Sequence, residues 1–383
     1  MNPQVLQHPR PLLLALWALV CGIALFRDLP LVAHPAAVHA LLALGVVPLI
    51  LGAMLFFIPT LTRTRPASSP LTTLPLLAAG AGALVVWMLD HDRRVLPLAA
   101  LLLASALVGM LAWIQRRRRM ALGGSHPALR WYQAALSLLL LGIGLIVLGW
   151  ALPEHFTPLR SAHLHVNLVG FLGMTAVGTL QTLLPTITGH PDPQAAQRLH
   201  RDWWPALLGT LAAALGALVN HAFSLVGMVL WLWVVVRLAR PTLALGAKVL
   251  LPGHGAFPLL VALAGFLFIW LAGPLIALGM VDANQATPAF LFAFLFPLIS
   301  GALAYLAPLW RWNPREDALQ RQARRTLTWS AGAGAPLHLM AALGPLAGWD
   351  AAAGLAPAAL GLFLATMVVA LRPRPSLQPV REF

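Results

Sequence analysis

Charge is what this chain has least of. Of its 383 residues only 9% are charged, and its mean hydropathy is +0.81. A soluble fold cannot be assembled from that composition, so the chain reads as a polytopic membrane protein. Cysteine is nearly absent too: Cys21 stands alone in an apolar run, which excludes a disulfide and a thiolate metal site. There are two tyrosines, Tyr132 and Tyr305. All eleven acids fall in loops or at the ends of apolar runs, so no intramembrane carboxylate is expected to carry protons. No phosphate loop, hydrolase elbow or zinc-protease motif occurs.

What is present is arginine. The formal charge of +14 comes from basic residues, with Lys248 the single lysine. In a membrane chain such residues hold loops against the anionic cytoplasmic face, and nucleic acid is not an expected partner. Twelve apolar runs are long enough to cross a bilayer: about 11–33, 37–60, 71–89, 95–115, 129–151, 162–187, 203–220, 222–239, 256–280, 286–309, 326–346 and 352–371. With the N-terminus inside, only Arg27, Arg93, Arg94 and Arg160 of the 25 basic residues fall outside. The expectation is a single all-α integral membrane domain over 1–383. Both termini are cytoplasmic, and it lies in the cell's inner membrane with the lipid bilayer as its solvent.

A repeat lies within the runs. The second carries Pro48, Gly52 and Pro59, and the tenth carries Pro297, Gly301 and Pro308, both P-x3-G-x6-P. The sixth carries Gly178 and Pro185, with Met174 in the first proline's place. The glycines are 126 and 123 residues apart, which divides the chain into pseudo-repeats of about 11–116, 129–240 and 256–372, each of four helices. Thirteen positions before each glycine stand His39, His165 and Pro288.

Those histidines are the candidate site. Imidazole in an apolar environment points to a cavity or a ligand, and it is a common ligand of haem iron, copper and zinc. His163 and His165 are separated by two positions, about 200° around a helix, so they face different neighbours. His221 lies at similar depth, and His338 sits mid-membrane in the eleventh run. Arg160, one turn before His163, suits a propionate or serves as an interfacial anchor. Thr175, Thr179, Thr182 and Thr186 share one helix face, either lining a polar path or bonding their own backbone.

Twelve spans in three four-helix units, with a histidine opening the second span of VHALLALGVVPLILGAMLFFIP (38–59), resemble subunit I of the haem-copper oxidase superfamily. More loosely, the chain resembles the NnrS family of twelve-span haem- and copper-containing proteins linked to nitric oxide stress. The resemblance implies a low-spin haem b with His39 as an axial ligand. His165 is the expected second ligand and Arg160 a cofactor-binding residue. It also implies copper ligands on the sixth and seventh spans, here His163 or His165 with His221 and no evident third, and an electron donor or a gaseous ligand, nitric oxide or dioxygen, as partner. His338 is a separate metal candidate, with a packing hydrogen bond as the alternative. The pattern departs from the oxidases in three ways: HxH lies on the sixth span instead of the tenth, span ten has no histidine, and neither tyrosine neighbours the histidines on span six. Whether the chain is an oxidoreductase therefore stays open, and no catalytic residue is assigned. Two alternatives are a transporter or metal-delivery protein, and a cofactor-free assembly subunit.

Overall fold

The computed structural model describes residues 9–24, 34–121, 124–312 and 317–372. Among them there is no strand, and twelve helical rods follow one another. They are α1 Pro9–Ala24, α2 Pro35–Thr62, α3 Ser69–Asp90, α4 Arg93–Met120, α5 Ala128–Ala151, α6 Pro153–Thr188, α7 Ala195–Leu218, α8 Ala222–Leu243, α9 Phe257–Ala277, α10 Ala286–Arg311, α11 Asp317–Leu343 and α12 Asp350–Ala370. Each apolar run of the sequence falls on one rod. Nine rods among the described residues are long and apolar enough to cross a membrane. The exceptions have visible reasons. α1 is described only to Ala24, and the rest of its run, 25–33, lies outside the described residues. The first turns of α7 carry Arg198, Arg201 and Asp202, and those of α11 carry Arg321, Arg324 and Arg325. The tight break at Asn220–Phe223 is present, since α7 ends at Leu218 and α8 starts at Ala222.

Three rods form the interior. Their most apolar stretches are 56% (α2), 72% (α6) and 78% (α10) buried, against 22–44% for the other six candidate spans. Inside a bilayer this burial exchanges lipid for protein, so close packing supplies the stability more than escape from water does. The rods close into a ring: α4 packs on α5, α8 on α9, and α12 returns to α1.

The three inner rods share one backbone device. Each is interrupted by a π-helical segment, Leu42–Val46 in α2, Val166–Gly173 in α6 and Phe290–Leu295 in α10. Counted from Gly52, Gly178 and Gly301, the segments begin ten, twelve and eleven residues upstream. Proline explains two of them locally. Pro48 and Pro297 follow directly and bring no N–H, so carbonyls one turn earlier lose their helical donor. The Leu44 carbonyl accepts from Trp17 Nε1 on α1 at 3.1 Å instead. The widened turn also lets neighbours approach. A Cβ on Gly82 of α3 would stand 2.5 Å from the Ala43 carbonyl oxygen, and one on Gly265 of α9 would collide with the Ala293 carbonyl.

The exits match as well. The Pro59, Pro185 and Pro308 carbonyls accept from Thr64, His190 and Trp312 N–H at 3.0, 3.2 and 3.1 Å. In α2 and α6 the stop is a left-handed residue at equivalent places, Arg63 (φ 53°) and Gly189 (φ 68°). The preceding pentapeptides are IPTLT (58–62) and LPTIT (184–188). In both, the last threonine bonds back to the carbonyl four residues earlier, Ile58 at 2.7 Å and Leu184 at 3.0 Å.

Candidate functional site

The histidines at the open ends of α2 and α6 are each held by the backbone. The His39 ring donates from Nδ1 to the Pro35 carbonyl at 2.7 Å, and His165 Nδ1 donates to the Ser161 carbonyl at 2.8 Å. Both bonds run back one turn, so these two imidazoles occupy the same place on two rods. His163 Nδ1 reaches across to the Gly142 carbonyl of α5 at 2.8 Å. In all three rings the carbonyl partner places the proton on Nδ1; the Nε2 lone pair of His163 faces the Asn167 amide at 3.2 Å. The Nδ1–H form is the tautomer that a metal-binding histidine takes when its second nitrogen is anchored to a carbonyl.

The rings fall into two groups. His39 and His163 face one another across the α2–α6 seam, their ring centres 6.4 Å apart and their planes within 20° of parallel. Arg160 is near enough for its charge to act on both. His165 instead lies within electrostatic reach of His221, which is exposed at the start of α8. The partner gathered beside His39 is thus His163, where sequence reasoning paired it with His165. Two positions on a regular helix turn side chains to opposite sides, and the stretch Phe156–His165 is regular α-helix up to the π segment.

The separation of the His39 and His163 ring centres matches that of two imidazoles sharing one metal. Two metal–nitrogen bonds of about 2.0–2.1 Å, with about 1.1 Å more to each ring centre, put the centres about 6.3 Å apart. Arg160, exposed at the mouth, supplies a guanidinium for an acidic substituent. Asn167, one turn inward, brings its amide nitrogen within 3.2 Å of both His163 nitrogens, while its Oδ1 is buried without a partner. Ala162 and Val166, which flank these histidines in the chain, are wholly buried.

Among the described residues no three metal-binding side chains converge. His338 is buried on α11, its ring 5.6 Å from the Phe296 ring and its Nδ1 unpartnered. The threonine face of α6 is committed locally: Thr179, Thr182 and Thr186 donate to the Thr175, Thr179 and Thr182 carbonyls at 2.7–2.9 Å.

Sequence reasoning missed a buried polar cluster at the other end of α6. Gln181 is wholly buried and accepts from Arg198 Nε at 3.1 Å. Arg198 also pairs with Asp192 at 2.5 Å. Asp202, expected at a helix end, lies in the second turn of α7 at 1% exposure and pairs with Arg237 at 3.1 Å. Burial pushes the Asp202 carboxyl above its usual range despite Arg237. Burial, the largest influence, also raises Asp192, but its hydrogen bonds to Arg198 and the Gln194 N–H, with the Arg198 charge, together hold it below the usual range. The signal was available: Arg198 and Asp202 are four apart, on one face of a helix that begins at Ala195.

No family model matches the chain, and no curated protein matches it.

Proposed function

We propose that this chain is a haem-binding integral membrane protein in which His39 and His163 would hold the haem. It would act in respiratory or nitrogen-oxide redox metabolism, as the resemblance to the haem-copper oxidases and the NnrS family implies. The observation that carries this is the pair of near-parallel imidazoles 6.4 Å apart, each with its Nδ1 proton tied to a backbone carbonyl. In this reading all twelve rods span the inner membrane as three four-helix units, with both termini cytoplasmic. The repeated π segments and the matching proline exits support it.

The residues divide the work. The Pro35 and Gly142 carbonyls fix the tautomer of the two rings, so Nε2 is the nitrogen each would offer a haem, and on His163 the Asn167 amide would have to give way to it. Arg160 would neutralise a propionate at the mouth. A haem held there would supply one-electron transfer, with an electron donor or a gaseous ligand such as nitric oxide or dioxygen as partner; Asn167 holds the His163 ring from its inner side at 3.2 Å. Transport finds less support, because the threonines of α6 bond their own helix.

The test is an absorption spectrum of the detergent-purified protein, oxidised and then reduced by dithionite, with metal analysis on the same sample. The expected result is a Soret band with sharp reduced α and β bands and one iron per chain. A colourless protein without iron or copper, from cells able to supply both, would overturn the reading in favour of an assembly subunit or a transporter.

A further inference from the structure

A second site lies far from the histidines, at the arginine-rich end of the bundle. A groove of about 710 Å³ opens between α4, α5 and α7. Its polar wall is Arg118, Arg130, Gln133 and Trp203, and its apolar wall includes Leu138 and Leu207. We propose that this groove binds an anionic phospholipid, with the phosphate between Arg118 and Arg130 and the acyl chains along the leucine wall.

Three observations carry it. The first is charge without a counter-charge. The Arg130 charge bears on Arg118, and among the described residues neither pairs with a carboxylate. Arg118 NH1 donates to the neutral Gln133 Oε1 at 2.5 Å, and Gln133 in turn donates to Gln115 Oε1 at 3.1 Å. That chain fixes the guanidinium but leaves its charge uncompensated. Two like charges at a membrane surface are relieved by an anion, and a guanidinium fork matches a phosphate. The second is an unused donor: Trp203 lines the groove, and its Nε1 is buried without a partner. The third is the groove's depth profile. Arg118 ends α4, and α5 and α7 begin at the same level, so the cations stand at headgroup height. From there Leu138 and Leu141 run toward the membrane centre, with Leu141 43% exposed. Trp204, 58% exposed, packs edge-on to Trp203 at 4.5 Å, as an interfacial anchor does. Basic pockets between spans take anionic headgroups for these reasons. The site requires membrane embedding but not a haem.

The experiment is thermal unfolding of the purified full-length protein in neutral detergent, titrated separately with phosphatidylglycerol, phosphatidylcholine and inorganic phosphate. Phosphatidylglycerol is expected to raise the midpoint while the other two do not. Arg118→Gln/Arg130→Gln should need about tenfold more phosphatidylglycerol for the same rise. The control Arg116→Gln/Arg119→Gln removes the same charge from exposed positions nearby and should respond like the wild type. An equal response in both double variants, or a wild-type response to phosphatidylcholine or free phosphate that equals the one to phosphatidylglycerol, would overturn the proposal. Should the first double variant not fold, Trp203→Phe and native mass spectrometry of the wild type decide. Retained phosphatidylglycerol, fewer copies on Trp203→Phe, is the expected pattern, and no retained phospholipid is the contrary one.

Discussion

The interior rods α6 and α10 have nearly the same backbone and opposite contents. Both carry a π segment at one register, a glycine that admits a neighbour, and a proline exit. In α10 the π turn is filled by Phe290, Phe292 and Phe294, all within 2% of full burial, with proline where the histidine would stand. In α6 the π turn is preceded by His163 and His165 and contains Asn167, and the α-helical stretch after it carries Gln181, bonded to Arg198. α2 lies between them, with one histidine and an apolar π turn. The π segment is therefore a packing device common to all three. The chemistry depends on which side chains are mounted near it, as function generally does on a shared fold.

The comparison breaks first where the backbones touch. Gly82→Val and Gly265→Val push a side chain into the π turns of α2 and α10, where the nearest atoms are backbone and cannot swing away. Each is expected to cost more than about 3 kcal/mol and to remove the monodisperse peak in detergent chromatography. A well-folded Gly265→Val protein would show that the π turn of α10 is not a tight joint.

Next comes the polar end that only α6 has. Arg198→Ala strands Gln181 and Asp192, with an expected loss of about 3–5 kcal/mol. Asp192→Asn should cost less, because Arg198 keeps its bond to Gln181. Thermal midpoints of the two variants check the order, and the reverse order would mean that the pair is held by Asp192 alone.

A smaller effect separates the helix starts. His126 and His254 precede α5 and α9, and each ring accepts a backbone N–H through Nδ1 at 3.2 Å, from Ala128 and Ala256. Burial lowers both below the usual histidine range, helped by His200 for His126 and by Lys248 for His254. A lowered histidine means that the unfolded chain binds the proton more readily. Stability is then full above about pH 6.5 and is lost as pH falls from there toward the folded-state values. The midpoint should drop between pH 7.5 and 5.5, and His254→Gln should flatten that slope. An unchanged slope in that variant would remove His254 from the account.

The sequence carried much of this, unevenly. Every apolar run lies on a rod, because about 20 apolar residues have one stable form in a bilayer. The Pro–Gly–Pro period pointed to α2, α6 and α10 because proline and glycine act locally, through a missing donor and a missing Cβ. The π turn was not legible, since nothing in LALGV or FLFAFL distinguishes i+5 from i+4 bonding. The pairing of His39 with His163 was equally hidden. It depends on how two rods rotate against each other, and the repeat drew attention to His165, the position equivalent to His39. Asp202 and Arg198 were legible by spacing but looked like loop charges until α7 extended to Ala195.

The central claim is that His163, and not its neighbour His165, completes the site with His39. The most direct measurement is haem per chain, from the pyridine haemochrome spectrum, in His39→Ala, His163→Ala and His165→Ala purified side by side. The account predicts that the first two lose the haem while remaining monodisperse, and that His165→Ala keeps it with an unchanged reduced α band. Haem retained by His163→Ala and lost by His165→Ala would contradict it and return the ligand pair to the two equivalent positions of the repeat.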